Sequence, residues 1–280
     1  MVIPFLLVIL AITQIAVQYA TTGDFVNRGI SLKGGSIITL DYSEAVNIDN
    51  LQANLQTQFP SFEVSVRTLS SARDIEGVVI ESTAQTKEEI DPILAVLTRE
   101  GVTTEGHYSV EIIGSALGES FFTETAIALL VAFGLMGVVV FIYFRSPIPS
   151  LAVMLAAFSD IVVTLAVFNL TGMKLSTAGV SAFLMLIGYS VDSDMLLTAR
   201  VLKRREGTIH ERIYSALSTG MTMTATTLMV LLVAILFVAS DTIKQIMIIL
   251  FIGLGIDLIM TWIQNVGILR WYLEKGHEKK

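Results

Sequence analysis

Six long apolar stretches limit this chain to a helical membrane bundle. A bilayer core requires roughly 20 apolar residues for each helical span. The predicted spans are residues 2–20, 126–144, 148–170, 175–199, 221–239 and 243–269. Of the 280 residues, 53% are hydrophobic and 15% are charged, whereas about 25% are charged in ordinary soluble domains. This balance excludes a soluble enzyme of normal composition and a nucleic-acid-binding protein with a basic face.

The first span has two interpretations, an uncleaved membrane anchor or a cleaved signal peptide. No basic residue precedes its apolar run, and residues 18–20 do not have the small-x-small pattern of a cleavage site. We therefore expect the anchor.

Residues 21–119 form a polar block between the first two predicted spans. They include 15 acidic and 6 basic residues, so the block carries a net charge of −9, while the remainder of the chain carries +2. We predict strands over residues 29–41, 62–69, 77–82 and 107–113, and helices over 47–59 and 86–100. The second helix opens with the capping-box residues Thr86 and Glu89. The resulting order β-α-β-β-α-β predicts a ferredoxin-like domain.

The placement of lysine and arginine predicts the orientation of the spans, because these residues are concentrated in cytoplasmic connections. The connections on one side contain Arg145, Arg200, Lys203, Arg204, Arg205, Arg212, Arg270, Lys275, Lys279 and Lys280, and those on the other contain only Lys174 and Lys244. We therefore expect a multi-pass protein of the cytoplasmic membrane with both termini in the cytoplasm. The predicted units are membrane helix 1 at residues 1–20, the extracytoplasmic ferredoxin-like domain at 21–119, the bundle of helices 2–6 at 120–273 and a cytoplasmic tail at 274–280.

Asp160 is the leading candidate site residue. An ionisable group near the centre of a span costs about 2.5–3.5 kcal/mol on insertion scales and marks a functional site by default. Asp160 lies 12 residues beyond Ile148, which places it about 18 Å into its span. No lysine or arginine is expected at that depth, and an unpaired buried carboxyl favours its neutral, protonated form. Two interpretations remain open, proton transfer or a protonated aspartate that hydrogen-bonds between helices.

Three further aspartates lie in the predicted spans. Asp192 and Asp194 are two residues apart and so point about 200° apart on a helix, which allows only one of them to face the interior. We expect Asp194 to be an interfacial charge and Arg200 to be a plain cytoplasmic anchor. Asp257 continues into Thr261 and Asn265 at four-residue spacing, a row that serves either a hydrogen-bonded interior or simple adhesion between helices.

Several segments together resemble the SecF family of protein-export membrane proteins. Residues 29–35 (GISLKGG) resemble the family signature G-I-D-F-x-G-G, with Ser31 in place of the usual acid, and residues 113–118 (IGSALG) resemble V-G-P-x-L-G. Residues 159–164 resemble the aspartate-bearing third span, and residues 187–194, followed by Arg200, are similar to I-G-Y-S-x-N-D with a later D-R. The chain departs from the bacterial pattern at Asp192-Ser193 and at Ala199, which resembles the archaeal branch.

The resemblance implies one half of a transporter of the RND superfamily. Its six spans would pair with six spans of SecD, and its partners would be SecD, the Sec translocon channel, unfolded preprotein and the lipid bilayer, without nucleic acid. Asp160, Asp192 and Asp257 would relay protons, with Asp160 as the switch, while Asp194 and Arg200 would be interface charges. The relay would couple the proton-motive force to movement of the outer domain.

Two alternatives to a proton-driven export subunit remain. The first is a membrane scaffold of the translocon that transduces no energy. The second is an intramembrane aspartyl protease with Asp160 and Asp257 as its dyad, although residues 253–257 are one residue too long for the G-x-G-D motif. We expect no enzymatic activity. The absence of cysteine and the three scattered histidines also lead us to expect no metal site and no cofactor.

Overall fold

Six apolar helices, each long enough to cross a bilayer, dominate the described chain. The computed structural model describes residues 2–41, 47–70, 75–100, 108–203, 206–238 and 240–277. In chain order its elements are α1 (Val2–Thr22), α2 (Ile30–Lys33), β1 (Gly35–Asp41), α3 (Ile48–Gln58), β2 (Val64–Ser70), β3 (Ile75–Ser82), α4 (Lys87–Arg99), β4 (Tyr108–Ile113), α5 (Ser115–Phe144), α6 (Pro147–Leu170), α7 (Thr177–Lys203), α8 (Ile209–Phe237), α9 (Asp241–Ile259), a π-helical segment (Met260–Asn265) and α10 (Val266–His277).

The six predicted spans are α1, α5, α6, α7, α8 and the continuous run from α9 to α10, which we call the sixth span. The chain is therefore a multi-pass membrane protein. Helices α6 and α7 and the sixth span form the buried centre of the bundle, whereas α1, α5 and α8 expose most of their side chains. Those exposed side chains are mostly large and apolar, as the lipid environment requires.

Helices α5 and α8 begin earlier than predicted, before their apolar runs. The N-terminal part of α5 contains Glu119 and Glu124. Their charges lower the hydropathy there, so a prediction based on hydropathy starts the helix too late. At the start of α8 the backbone N–H of Thr208 donates to Glu211 Oε2 (2.8 Å), and that of Glu211 donates to Thr208 Oγ1 (3.3 Å). This capping box satisfies two free N–H groups of the helix end. The boundary expected between residues 119 and 120 falls inside α5.

Four antiparallel strands form a sheet in the order β2-β3-β1-β4. Alternating side chains of the strands pack with α3 and α4 into one apolar core, because successive residues of a strand point to opposite faces. This core contains Ile38, Leu40, Leu51, Leu55, Val64, Val66, Val78, Ile80, Ala84, Ile90, Ile93, Val96 and Leu97. We call β1–β4, α3 and α4 the sheet unit.

The prediction of a strand over residues 29–41 is wrong in its N-terminal part. Residues 30–33 form the single helical turn α2, and the strand begins only at Gly35. Ile30 and Leu32 are fully buried, and Leu32 packs in the cluster that includes Phe168 and Leu175 of the bundle. Contact with the bundle therefore decides the conformation of this turn. The last strand begins at Tyr108, and the expected strand residue His107 lies outside the described residues.

The segment before β1 is bound to the connection between α6 and α7. The backbone N–H of Leu175 donates to the carbonyl oxygen of Asn27 (2.6 Å), and the backbone N–H of Gly29 donates to the carbonyl oxygen of Leu175 (2.8 Å). Ser31 Oγ accepts a hydrogen bond from the N–H of Thr177 (3.3 Å), the first residue of α7. Because the first N–H groups of a helix lack partners within it, Ser31 satisfies one of them. The serine that replaces the acid of the family signature thus caps α7 from another part of the chain.

Two glycines allow the two chain connections of the sheet unit to cross. A Cβ atom on Gly118 would lie 2.8 Å from the backbone nitrogen of Gly34, and one on Gly34 would lie 2.6 Å from that of Ser115. Gly34 also has a φ of +86°, in the left-handed region that side chains other than hydrogen disfavour. The signatures at residues 29–35 and 113–118 therefore meet at one crossing, where the chain enters and leaves the sheet unit.

Glu63 joins the sheet unit to the bundle by ion pairs. Its carboxylate lies 3.3 Å from Lys174 Nζ in the α6–α7 connection and 3.6 Å from Lys33 Nζ at the end of α2. Partial burial raises the pKa of Glu63, but the charges and hydrogen bonds of Lys174 and Lys33 outweigh that effect and hold the pKa below its ordinary value. The ionised form of Glu63 therefore stabilises the contact.

Acidification is expected to weaken this attachment. Since the folded-state pKa lies below the unfolded value of about 4.3, the stabilisation is complete above that value and is lost as the pH falls through the folded-state pKa. Spin labels on cysteines introduced at Asp91 and Thr242 report the distance between the sheet unit and the bundle, and the distribution of this distance should broaden as the pH falls through the folded-state pKa. Glu63→Gln should broaden the distribution already at pH 7. Glu88→Gln, on an exposed position of α4, is the control. Equal distributions for the two variants at pH 7 would show that the ion pairs contribute nothing.

Candidate functional site

Three aspartates from three different helices meet in the centre of the bundle. Asp160 of α6, Asp194 of α7 and Asp257 of α9 all have 0% of their surface exposed. The side chains of Asp160 and Asp257 lie close enough to interact directly. We call these three residues the carboxyl cluster.

Ser190 links α7 to α6. Its hydroxyl donates to Asp160 Oδ2 over 2.5 Å, and both residues are buried. Ser190 lies four residues before Asp194, so both side chains are on the same face of α7. This face places one donor on Asp160 and one carboxyl beside the sixth span.

The sixth span contributes an acid and two donors. Thr261 Oγ1 lies 2.9 Å from Asp257 Oδ1 and 3.0 Å from Asp194 Oδ1, and Asn265 Nδ2 donates to the same Asp194 oxygen over 2.7 Å. The Thr261 hydroxyl has a single proton and donates to one acceptor at a time. When Thr261 donates to one of the two aspartates, it can form a hydrogen bond with the other only if that carboxyl is protonated and donates to the hydroxyl oxygen. Thr261 therefore bridges Asp194 and Asp257, and the direction of its hydrogen bonds depends on which acid is protonated.

A π-helical segment shapes this side of the site. Residues 260–265, which begin three positions after Asp257, depart from α-helical geometry and include Thr261 and Asn265. Gln264 from the same segment donates to Ser159 Oγ over 3.2 Å, next to Asp160. Single π-helical turns inside α-helices occur frequently at functional sites. Here the wider turn presents Thr261, Gln264 and Asn265 together to the interior.

The carboxyl cluster has no basic partner among the described residues. None of the three acids forms an ion pair there, and Asp160 Oδ1, Asp194 Oδ2 and Asp257 Oδ2 have no donor in that part of the chain. Three ionised carboxylates in contact within a buried site would repel one another and lose their hydration. The arrangement is therefore chemically suited to hold and exchange protons. The described residues contain no group of three or more histidine, cysteine or acidic side chains suited to a metal ion.

The structure reverses the positions expected for Asp192 and Asp194. Asp194 is fully buried in the carboxyl cluster, whereas Asp192 is exposed on the opposite side of α7. The prediction that Asp194 is an interfacial charge is therefore wrong, and the reason is the face marked by Ser190, one turn earlier. Asp192 does not join Asp160 and Asp257.

Arg200 ties α7 to α8. Its Nη1 donates to the carbonyl oxygen of Ser215 (2.5 Å) and to Thr219 Oγ1 (2.9 Å), and its side chain is half-buried. Arg200 is therefore a bonded interhelical residue, not the plain anchor that was predicted. Arg204, Arg205, Lys279 and Lys280 of the predicted basic connections lie outside the described residues.

Sequence reasoning missed Ser190 and Gln264. Both had a signal in the spacing: Ser190 precedes Asp194 by four residues, and Gln264 follows Asp257 by seven, which returns it to the same helix face. The row of Asp257, Thr261 and Asn265 was identified, and its interhelical partner proves to be Asp194.

Comparison with known proteins relates the chain to protein export. Residues 95–275 match the family model "Protein export membrane protein SecD/SecF, C-terminal". The chain is 37% identical to the protein-export membrane protein SecF of Pyrococcus furiosus, over 99% of this chain and 91% of that protein. It is 35% identical to SecF of Methanocaldococcus jannaschii, over 99% and 96%.

The fold is similar to that of a solved protein. The crystal structure of SecDF from Thermus thermophilus, described as a translocon-associated membrane protein, matches with a TM-score of 0.75 and 19% identity. A SecDF structure in a super-membrane-facing form matches with a TM-score of 0.65. The match covers 98% of this chain but only 37% of the first SecDF chain, so the chain corresponds to part of that protein.

Proposed function

Since the chain belongs to the SecD/SecF family of protein-export membrane proteins, we propose that it acts in protein translocation as the SecF subunit of a complex with SecD. Its remaining partners are the Sec translocon channel, unfolded preprotein and the lipid bilayer of the cytoplasmic membrane. The SecDF protein of similar fold supports the pairing with SecD. This chain matches only 37% of the SecDF chain, which leaves the remainder of that protein to correspond to a partner.

The proposed orientation places both termini in the cytoplasm and residues 21–119 outside. The basic side chains Arg200, Lys203 and Arg212 flank the α7–α8 connection, which supports a cytoplasmic position for it. The sheet unit would then be an extracytoplasmic domain of the ferredoxin-like type. Its strand order and its two helices on one face support that assignment.

The carboxyl cluster is the proposed proton site, and its burial without a basic partner carries the proposal. Asp160, Asp194 and Asp257 would take up protons, with Asp160 as the switch. One charge that crosses 100 mV yields about 2.3 kcal/mol, which changes a conformational equilibrium by roughly fifty-fold. This energy is sufficient to drive a movement of the outer domain.

Helix α7 is the proposed mechanical link. It contributes Ser190 and Asp194 to the carboxyl cluster. The backbone N–H of its first residue, Thr177, has no acceptor within the helix and donates to Ser31, before the sheet unit. A change of protonation alters the bonds of α7 with α6 and the sixth span. The segment bound to Leu175 and Thr177 would transmit the resulting shift to the sheet unit.

Asp160→Asn tests the proposal. We expect the variant to keep its complex with SecD but to lose the stimulation of export by the proton-motive force, a loss of up to roughly fifty-fold. Export of a secreted reporter into energised inverted vesicles is the measurement, with SecD content as the control for assembly. Asp91→Asn makes the same chemical change on an exposed position of α4 and should export normally. Wild-type stimulation in Asp160→Asn would remove the proton role.

The hydrogen bonds within the site also fit a scaffold that transduces no energy. Ser190–Asp160 and Asn265–Asp194 join α6, α7 and the sixth span and would hold the bundle together in either case. Intact assembly together with normal export in Asp160→Asn would favour this second candidate.

The side chains of Asp160 and Asp257 interact within one buried site, as the two carboxyls of an aspartyl dyad must. Family membership and the long spacing of residues 253–257 favour export instead. Cleavage of membrane peptides by the purified protein, abolished in Asp257→Asn, would support the protease alternative.

A further inference from the structure

A cavity lies between the sheet unit and the bundle. Its volume is about 490 Å³, within the range of about 300–1,000 Å³ that small-molecule sites occupy. The cavity is partly open to the outside, and residues of both the sheet and the outer ends of the membrane helices line it. We call it the sheet–bundle cleft.

The sheet contributes the face that its helices leave uncovered. Val66 and Ile80 point into the apolar core with α3 and α4, so the residues next to them in the strands point the opposite way. Arg67 and Glu81 lie on that opposite face and line the cleft. They form an ion pair with each other over 3.1 Å, so this wall of the cleft carries one charge of each sign.

The bundle contributes two lysines to the other wall. Lys174 lies in the α6–α7 connection, and Lys244 lies in the first turn of α9. Both are at the ends of spans on the side of the sheet unit, where the lipid headgroups lie. Lys174 is paired with Glu63. Lys244 is half-buried and forms no ion pair and no side-chain hydrogen bond with the described residues, although partly buried charges are normally paired.

Two hydroxyl groups of the cleft are also free to donate. Ser65 and Thr242 line it, and neither side chain forms a hydrogen bond with the described residues. The lining residues include three cations and one carboxylate, a net charge of +2, whereas residues 21–119 carry −9. Positive charge together with free donors suits an anion that has several oxygen atoms, such as a phosphate group.

We propose that the sheet–bundle cleft binds the phosphate headgroup of an anionic membrane lipid, with Lys244 as its main ligand. The lipid comes from the leaflet on the side of the sheet unit. Basic pockets at the ends of membrane helices bind such headgroups, and a lipid is held at the membrane surface at a high effective concentration, unlike a free anion. The bound headgroup contacts both walls and so holds the sheet unit against the bundle. The site is separate from the carboxyl cluster and independent of the proton role.

Lipid binding to the protein purified in mild detergent, together with any subunit that accompanies it, tests the site. We expect phosphatidylglycerol with short acyl chains to bind more tightly than phosphatidylcholine with the same chains, because only phosphatidylglycerol has a net negative charge. Lys244→Gln should weaken the binding of phosphatidylglycerol about tenfold, since it removes a charge-assisted hydrogen bond. The measurement is a lipid titration followed by native mass spectrometry, which counts the bound lipids.

Two further variants are the controls. Lys244→Arg keeps the cation and should bind phosphatidylglycerol as the wild type does. Lys87→Gln makes the same chemical change at an exposed lysine of α4 and should also bind normally. Wild-type affinity of Lys244→Gln for phosphatidylglycerol, or an equal loss in Lys87→Gln, would overturn the inference.

Inorganic phosphate distinguishes a lipid from a soluble anion. We expect phosphatidylglycerol to stay bound in an excess of inorganic phosphate, because its acyl chains in the detergent micelle keep the headgroup close to the site. Displacement by phosphate at an equal concentration would assign the cleft to a soluble anion and overturn the choice of ligand. Binding of hexaglutamate instead of lipid, lost in Lys244→Gln, would overturn it in favour of an acidic peptide.

Discussion

Gly34→Ala is expected to destabilise the protein by about 2–5 kcal/mol. The left-handed backbone at this position costs a side chain roughly 1–2 kcal/mol, and overpacking against fixed atoms adds about 1–3 kcal/mol. The atoms that the new methyl group would meet belong to the backbone of Gly114 and Ser115, which cannot rotate away as a side chain can. The midpoint of thermal unfolding in detergent, measured on the complex, should fall accordingly.

Gly114→Ala is the matched control for this variant. Gly114 is adjacent to the same crossing, but its φ is −62° and a Cβ atom there meets nothing within 4 Å. An alanine at this helix-capping position is expected to cost no more than about 1 kcal/mol. If both variants unfold at the same temperature, the close crossing does not contribute to stability.

Asp194→Leu is expected to destabilise the protein by about 1–3 kcal/mol. The substitution leaves the buried donor Asn265 Nδ2 without its acceptor, and an unsatisfied buried group costs about 1–3 kcal/mol, whereas Thr261 Oγ1 keeps Asp257 Oδ1 as its acceptor. Asp194→Asn retains one acceptor oxygen and should lose less than half as much, while it removes the exchangeable carboxyl proton. Thermal unfolding separates the two variants.

Export separates them in a different way. We expect Asp194→Asn to assemble with SecD and to lose stimulation by the proton-motive force, as Asp160→Asn does. Unfolding temperatures that are the same for Asp194→Leu and Asp194→Asn would mean that these hydrogen bonds add nothing to stability.

The sequence predicted the six spans, the four strands and the two longer helices of the sheet unit because each has a local signal. The spans follow from continuous apolar length, and the start of α4 follows from Thr86 and Glu89, where Glu89 Oε2 accepts from the N–H groups of Gln85 (2.8 Å) and Thr86 (3.1 Å). Contacts between distant segments have no such signal. The bond from Thr177 to Ser31 joins residues 146 positions apart, and the helical turn at residues 30–33 depends on packing against the bundle.

The candidate site was predicted in part. Asp160 and Asp257 were identified from the cost of a carboxyl in a span, and they do meet. To decide whether Asp192 or Asp194 faces the interior, one must know how α7 is rotated about its own axis. The two acids point about 200° apart, so their positions alone do not reveal this rotation. Ser190 would have decided it, since a serine in register with one of the two acids marks the hydrogen-bonded face. The π-helical segment has no sequence signature comparable to a cap.

The π-helical segment allows the two parts of the sixth span to rotate and shift along the axis relative to each other, which a uniform α-helix does not allow. Its six residues close wider hydrogen-bonded rings than an α-helix does, and each residue of an α-helix advances the chain by about 1.5 Å and 100°. Tightening the segment into α geometry would therefore turn and translate residues 266–277 against Asp257 while the apolar rod stays unbroken. The C-terminal end of the sixth span can thus rotate about the buried acids without exposing a single peptide group to hydrocarbon.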